Sequence, residues 1–357
     1  MKLKSSVKVI LFVFIYSFII QFSLGHVTPT KAVYNYRMEY DFIKDNPSNL
    51  VVVLEHIKRE IHKKENHDYV VILGDSVEYS SPGKATESIG YYMQLQYETL
   101  KKDIDVYNLA LPSNQMGDIY TLLLELDRYG ISRDHVIIGV MYSGFTVRNP
   151  NPSPVFWFYE PLKEEDGEAY AAVEDSLKLN GKVSLNRLSD AKNILLDKIA
   201  VIKYKDTFRA DMLKALGMYK TSYENEISQN WRAKPYLGEL LKQPLYQRFF
   251  SDEAFIMNDS NPQLYFLDKI IELQSGHQTL FILSDVNHEL LKEETSKDGY
   301  KENVKRIEAY FKAQNVQYLD LENQFNVELF SDHVHLIPEG YEVMAQTLMD
   351  EIEDWFE

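Results

Sequence analysis

The sequence predicts an α/β protein built on an open parallel β-sheet, and two observations support this prediction. Five short runs rich in apolar and β-branched residues have the length and composition of buried central strands. Segments with helical spacing separate these runs, and repeated strand–helix units of this length indicate a parallel sheet covered by helices. The predicted strands are 69–73, 105–109, 135–140, 279–283 and 316–320, and the predicted helices are 88–102, 119–129, 264–274, 301–314 and 341–355.

The strand–helix alternation is interrupted once, after the third predicted strand. A turn-rich Asn-Pro-Asn-Pro-Ser-Pro stretch begins the interruption, and about 110 residues of weak periodicity follow it. The 357 residues therefore predict one split core with an insertion, although the length alone would also allow two domains. The expected parts are a connecting helical segment at 26–66, a first core half at 67–150, an inserted cap or lid at 151–262, and a second core half at 263–357.

Residues 1–25 have the pattern of an export segment. Lys2, Lys4 and Lys8 precede an apolar run at 9–24, which is the order of charge and hydropathy in a signal peptide. A membrane anchor has the same pattern, and the positive-inside rule would keep these lysines in the cytoplasm and send the remaining chain across. Cleaved signal peptide and uncleaved membrane anchor both remain open, and either predicts an extracytoplasmic protein of a bacterial envelope.

Composition excludes several classes of function. The formal net charge is −16, and an acidic surface of this kind disfavours nucleic acid as a partner. The chain contains no cysteine, which excludes disulfide scaffolds, cysteine-ligated metals and thiol nucleophiles. His56, His62 and His67 lie near lysines on a predicted helix, where we expect a solvated face. We expect no cofactor and no metal.

Two short motifs carry the predicted chemistry. Gly74, Asp75 and Ser76 follow the first predicted strand, where a serine is exposed and nearby backbone N–H groups can face a developing oxyanion. Asp332 and His335 precede the last predicted helix. In a tight turn this spacing lets the carboxylate orient one ring nitrogen while the other accepts a proton from a serine. Together they predict Ser76 as nucleophile, His335 as general base and acid, and Asp332 as the orienting carboxylate.

These motifs resemble those of the SGNH or GDSL hydrolases. The Gly-Asp-Ser turn resembles the first block of that family, and Asp332, His335, Gly340 and Tyr341 resemble its last block. The resemblance covers about 69–148 and 264–357. It implies a three-layer, flavodoxin-like parallel sheet, the SGNH fold, with a serine-based acyl-transfer activity at the strand ends.

The middle blocks depart from the family pattern. Asn108 matches the second block, but Ser113 stands where the family has a glycine whose N–H joins the oxyanion hole. The third block is replaced by 141–144, Met-Tyr-Ser-Gly, which lacks the usual asparagine. This departure resembles the envelope acyl-transfer branch, which includes DltD-like, PatB-like and alginate O-acetylation proteins. By that resemblance Ser113, Asn108 and Asn287 are expected to contribute to oxyanion or substrate binding.

The sequence therefore predicts an extracytoplasmic serine esterase or O-acyltransferase that forms an acyl-Ser76 intermediate. The expected substrate is an ester of a cell-envelope glycan or polymer, and a transferase would need a membrane acyl-carrying protein as partner. Two alternatives remain open. One is a secreted carboxylesterase or lipase, and the other is a non-catalytic glycan-binding assembly protein that has kept the fold.

Overall fold

The computed structural model describes residues 2–27, 33–64, 68–146, 152–182, 199–219, 221 and 228–356, and its core is a five-stranded sheet. Every neighbouring pair of strands is parallel, in the order β2-β1-β3-β4-β5. All five predicted strands are present, with each end within one residue of the prediction. The strands are β1 (Asp68–Leu73), β2 (Ile104–Asn108), β3 (His135–Val140), β4 (Gln278–Leu283) and β5 (Gln317–Asp320).

Helices fill the connections between the strands and form the described parts of both termini and of the insertion. The helices before the insertion are α1 (Lys2–Val27), α2 (Tyr40–Asp45), α3 (Leu50–His62), α4 (Ile89–Thr99), α5 (Met116–Tyr129) and α6 (Tyr142–Phe145). Those described in the insertion are α7 (Tyr159–Glu165), α8 (Gly167–Leu179), α9 (Ala200–Lys203), α10 (Lys205–Ala215), α11 (Leu237–Leu241) and α12 (Pro244–Phe249). The remaining helices are α13 (Pro262–Leu273), α14 (Lys292–Thr295), α15 (Asp298–Gln314) and α16 (Pro338–Glu351).

The strand order places the helices in two layers. The chain moves from β1 to β2 on one side and then returns past β1 to β3. Because such crossovers are right-handed, the helices of these two connections, α4 and α5, lie on opposite faces of the sheet. Helix α16 packs on α4, and α13 packs on α5. The reversal of direction beside β1 makes the carboxyl end of β1 the topological switch point, where open α/β sheets bind ligands.

Residues 33–64, which lie between α1 and β1, pack into the core, whereas the sequence predicted only a connecting role for 26–66. Arg37 is buried, and its guanidinium donates to the carbonyl oxygens of Tyr79, Ser80 and Gly83 at 2.8, 2.9 and 2.6 Å. Isolated β-bridge pairing also joins Arg37 to the end of β2 at Asn108. This segment therefore fixes the loop that follows the predicted nucleophile.

The expectation of a solvated histidine face on α3 is wrong at one position. His56 is buried against Tyr34, with ring centroids 5.9 Å apart, and burial lowers the pKa of its imidazole to about 4. His62 is exposed, as expected, and His67 lies outside the described residues. The apolar residues of α3 cover the core, so the histidine among them is buried too.

The insertion is tied to the core at its entrance. The carboxylate of Asp118, in the first turn of α5, accepts the backbone N–H groups of Phe156, Trp157 and Phe158 at 2.7, 2.7 and 2.9 Å. Burial raises the pKa of Asp118 to about 6, against the effect of these N–H groups. Trp157 and Phe158 are buried and contribute to the hydrophobic core.

Helix α1 is the one helix among the described residues that is long and apolar enough to cross a membrane, over Val7–Gly25. None of the residues in that span is fully buried, although its C-terminal end is partly covered. A signal anchor and a membrane span both have this length and composition, so the N-terminal export pattern of the sequence has a helical counterpart in the structure.

Candidate active site

The predicted nucleophile lies on a tight turn beyond β1. Asp75 Oδ1 accepts the N–H of Val77 at 2.9 Å, and the carbonyl oxygen of Ser76 accepts the N–H of Ser81 at 3.0 Å. These local bonds give the turn its shape, and Ser76 is left partly exposed in a cleft. The motif therefore sits at the switch point of the sheet with its hydroxyl accessible.

The C-terminal motif brings an acid–histidine pair to this hydroxyl. Asp332 Oδ1 accepts the N–H groups of Val334 and His335 at 2.9 and 2.8 Å, which closes a turn around the carboxylate. Asp332 Oδ2 lies 2.8 Å from His335 Nδ1, and His335 Nε2 lies 2.9 Å from Ser76 Oγ. The structure thus places the three predicted residues in one hydrogen-bonded chain across 259 positions of sequence. This is the geometry by which a histidine activates a serine.

The electrostatics of the pair favour a charged carboxylate. Burial acts to raise the pKa of Asp332, but the imidazoles of His335 and His333 and the N–H of Val334 hold it well below its usual range. Burial acts to lower the pKa of His335, but Asp332, with a smaller contribution from Asp75, raises it above the usual 6.5. An ionised Asp332 therefore stabilises the imidazolium that forms when His335 takes a proton.

A buried carboxyl group packs under the nucleophile turn, between that turn and the end of β4. Glu78 is fully buried, and its side chain accepts the N–H of Asp75 at 3.0 Å and the hydroxyl of Ser284, just after β4, at 2.8 Å. It fills space left by two glycines, because a Cβ on Gly74 or Gly139 would lie 2.3 or 2.0 Å from Glu78 side-chain atoms. Burial, together with the nearby Asp75, raises the pKa of Glu78 to about 7.

Ser113 has a backbone conformation that glycine adopts more readily than serine. Its φ is +71°, in the left-handed region that favours glycine. Both Ser76 and Ser113 line the cleft. Within the described part of the chain, neither of their backbone N–H groups donates to another protein atom. Two N–H groups are therefore available for an oxyanion.

The two asparagines expected at the site do not face the cleft. Asn108 is fully buried, donates from Nδ2 to the Glu78 carbonyl oxygen at 2.7 Å, and accepts the N–H of Ala110 at 3.0 Å. Asn287 is also fully buried, and its Nδ2 donates to the carbonyl oxygen of Asp332 at 3.2 Å. The expectation that these side chains contact the substrate is therefore corrected. Each instead holds a backbone segment in place, one on each side of the site.

Sequence reasoning missed several other residues in or next to the cleft. Asn114 donates to the Gly74 carbonyl oxygen at 2.9 Å, and its buried Oδ1 lacks a partner among the described residues. Lys234, from the insertion, donates to Ser331 Oγ at 2.8 Å beside the acid–histidine turn. One feature of the sequence pointed to Glu78. Gly139 lies inside a buried strand, and a glycine there indicates that another group packs closely against the strand backbone.

The cleft has a volume of about 230 Å³ and two kinds of wall. Its lining includes the polar residues Ser113, Gln115 and Gln263. It also includes apolar residues from the core and from the end of α12 in the insertion: Met116, Ile119, Met141, Phe249 and Phe250. The inserted region therefore contributes directly to the predicted catalytic face.

Larger hollows lie elsewhere. One of about 700 Å³ lies between α2 and α10, and one of about 630 Å³ lies beside the end of α1. Neither brings a serine, a histidine and a carboxylate together among the described residues that line it. Chemistry therefore selects the smaller cleft as the candidate active site.

Three potential metal ligands converge near the ends of β4 and β5. His288 Nε2 lies 3.5 Å from Asp285 Oδ1 and 3.1 Å from Glu322 Oε1. Both oxygens of Asp285 already accept backbone N–H groups, from Val286, Asn323, Gln324 and Phe325. Burial acts to lower the pKa of His288, but the two carboxylates raise it to about 9. The imidazolium itself supplies the positive charge, so the cluster is explained as an ion pair.

Comparison with known proteins adds no family assignment. No protein-family model matches the chain, and no curated protein matches it in sequence.

Proposed function

We propose that this protein is an extracytoplasmic serine esterase or O-acyltransferase of the SGNH type. The observation that supports the proposal most directly is the hydrogen-bonded chain from Asp332 through His335 to Ser76. The order of these residues along the chain and their place at the switch point agree with the resemblance described above.

The proposed reaction uses the side chains in the positions described above. Ser76 Oγ attacks the ester carbonyl carbon while its proton passes to His335 Nε2, and Asp332 stabilises the resulting imidazolium. The N–H groups of Ser76 and Ser113 receive the negative oxygen of the tetrahedral intermediate. His335 then gives its proton to the departing alcohol, and an acyl-Ser76 ester remains. A second alcohol or water, deprotonated by His335, attacks this ester and restores Ser76.

The size of the cleft favours a short acyl group. Pockets that enclose drug-sized ligands measure roughly 300–1,000 Å³, and this cleft of about 230 Å³ is smaller. Its apolar wall suits the methyl or short alkyl end of an acyl chain, while Gln115 and Gln263 suit a hydroxyl-bearing acceptor. A short-chain ester of an envelope glycan or polymer fits these features better than a long-chain lipid ester.

A fluorophosphonate probe tests the serine chemistry, because it phosphonylates only an activated hydroxyl. We expect the full chain to be labelled and Ser76→Ala to remain unlabelled. Ser143→Ala removes a different hydroxyl from the same cleft and is the matched control that keeps labelling. If the wild-type chain is never labelled, the esterase or O-acyltransferase hypothesis and the lipase hypothesis both fail, and the non-catalytic glycan-binding alternative gains support.

Acyl release from an acetyl ester, measured with and without a neutral glycan acceptor, separates transferase from esterase. A transferase passes part of the acetyl group to the acceptor, and the acylated glycan is detected by mass. Release to water alone at every acceptor concentration contradicts acyl transfer. Faster turnover of long-chain than of acetyl esters would favour the lipase alternative.

A further inference from the structure

Helix α10, in the insertion, carries an exposed apolar line. Phe208 and Met212 are 39% and 57% exposed, and Leu216, directly after the helix, is 62% exposed. Their spacing of four residues places them along one face of a helix. The opposite face is in contact with the protein, because Thr207 and Ala210 are buried. We call Phe208, Met212 and Leu216 the apolar stripe.

The apolar stripe begins close to the end of the apolar N-terminal helix. The N–H of Ala200, the first residue of α9, donates to Gln21 Oε1 in α1 at 2.9 Å. Tyr204, which joins α9 to α10, approaches Gly25 so closely that a Cβ there would lie 2.8 Å from its hydroxyl. Contact between α1 and α9 therefore brings the start of α10 beside the C-terminal end of α1.

The dimensions of α1 place this contact near a membrane surface. The apolar span Val7–Gly25 has 19 residues and a helical length of roughly 28 Å, close to the ~30 Å hydrocarbon thickness of a bilayer. Gly25, at the end of that span, would then lie where the helix leaves the hydrocarbon. Helix α10 would start at the level of the lipid headgroups, with its exposed side chains accessible to them.

The charges around the apolar stripe suit a lipid surface. Lys205 and Arg209 are exposed and adjoin Phe208 and Met212 at helical spacing, at the edge of the hollow between α2 and α10. Of the acidic residues of α10, Asp206 accepts a hydrogen bond from Asn46 Nδ2 at 3.3 Å, and Asp211 is only partly exposed. For a chain of net charge −16, this local arrangement offers basic and apolar groups together, as interfacial helices do.

We propose that the apolar stripe docks on the surface of the phospholipid bilayer that α1 enters. The protein then contacts the membrane twice, through a spanning helix and through the insertion. Two contacts fix the orientation of the body relative to the membrane, whereas a single helix would leave it free to rotate. The proposal does not depend on the chemistry at Ser76.

A single introduced thiol provides the test, because the chain contains no cysteine. Met212→Cys in the full chain is labelled with a polarity-sensitive fluorophore and reconstituted in vesicles of phosphatidylcholine and phosphatidylglycerol. Some of the lipids carry a nitroxide quencher near the headgroup. We expect strong quenching and a blue-shifted emission. Leu100→Cys is the matched control: it is 61% exposed at the end of α4, away from the insertion, and stays unquenched.

Ile15→Cys, in the middle of the apolar span, reports whether α1 inserts and should be quenched by nitroxides deep in the acyl chains. Insertion of α1 without quenching at Met212→Cys overturns the proposal, and so does failure of α1 to insert. Pyrene excimers at position 212 that grow with the protein-to-lipid ratio would assign the stripe to a second copy of the chain and also overturn it.

The basic residues provide a second readout. Lys205→Glu with Arg209→Glu, combined with Met212→Cys, should reduce quenching several-fold in vesicles containing phosphatidylglycerol and have little effect in pure phosphatidylcholine. An equal effect in both vesicles would contradict the electrostatic part of the docking surface. Circular dichroism of each variant confirms that the fold is retained.

Discussion

The two sides of the candidate active site are braced by different chemistry. On one side, the turn that carries Ser76 rests on Glu78, a buried carboxyl group whose pKa is raised to about 7. On the other, the loop that carries His335 is joined by Asn287 to the end of β4, where His288 pairs with two carboxylates and has a pKa of about 9. Glu78, which contacts the nucleophile turn, is therefore favoured neutral, whereas His288, which follows the asparagine that contacts the His335 loop, is favoured charged.

This difference predicts that pH affects the two sides in different ranges, which overlap only near pH 7. A carboxyl group whose pKa is raised by folding stabilises the fold below its unfolded pKa and loses that contribution as pH rises through the folded value. The same rule applies to a histidine with a raised pKa, but its range is higher. For Glu78 the range runs from 4.5 to about 7, and for His288 from 6.5 to about 9.

The largest expected effect distinguishes the two aspartates at the site. Asp332→Asn removes the negative charge that stabilises the His335 imidazolium and should slow acylation of Ser76 by roughly 10⁴-fold. Asp75→Asn is the matched change beside the nucleophile and keeps an acceptor for the Val77 N–H, so we expect less than a tenfold loss. Rates of fluorophosphonate labelling measure both. Equal losses would mean that the two carboxylates do not differ in role.

The second prediction concerns Glu78. Glu78→Ala leaves the N–H of Asp75 and the hydroxyl of Ser284 without their acceptor and should destabilise the fold by about 3 kcal/mol. Glu78→Gln resembles the neutral acid and should cost less. The contribution of Glu78 to stability should fall by about 3 kcal/mol between pH 4.5 and 7, at about 1.4 kcal/mol per pKa unit, and Glu78→Gln should remove this part of the wild-type pH dependence.

Urea unfolding at a series of pH values measures this contribution, with Asp75→Asn as a control for the neighbouring carboxyl group. An unchanged pH dependence in Glu78→Gln would show that Glu78 does not titrate in this range. The nucleophile side would then rest on an ordinary buried ion, and the contrast between the two sides would disappear.

A smaller effect is expected on the histidine side. His288→Gln removes the imidazolium between Asp285 and Glu322 and should lower stability at pH 6 by about 2 kcal/mol. Its side chain is 24% exposed, so solvent screening keeps the value below what the full pKa difference would give. Because the folded pKa is about 9, the gap between variant and wild type should close above that pH. A gap that stays constant from pH 6 to 10 would contradict the ion pair.

The smallest expected effects come from the two bracing asparagines. Asn108→Ala and Asn287→Ala each remove one buried donor and one acceptor, and each should cost on the order of 1 kcal/mol. Asn287→Ala should also slow labelling of Ser76 a few-fold by loosening the His335 loop. Asn287→Gln keeps the amide but moves it one methylene farther from the backbone. Recovery of the labelling rate in this variant would show that the hydrogen bond to the His335 loop tolerates a shift in position.

The local sequence was sufficient for the elements of the core and for the three residues of the predicted triad. Continuous apolar runs predicted all five strands because buried parallel strands need apolar side chains on both faces. The spacing of Asp332 and His335 predicted their pairing because the turn between them is closed by the carboxylate itself. Family membership and activity remain predictions.

Contacts between distant segments were decided only by the tertiary structure. Glu78 fits because Gly139, from another strand, leaves room for its carboxyl group, and a single-residue pattern around Ser76 does not contain that information. Asn108 and Asn287 match polar motif positions in sequence, but packing turned both away from the cleft. The apolar stripe could be related to a membrane surface only because the end of α1, nearly 180 residues earlier in the sequence, lies beside it in the structure. Sequence determines what each segment can form, whereas burial and proximity decide what each side chain contacts.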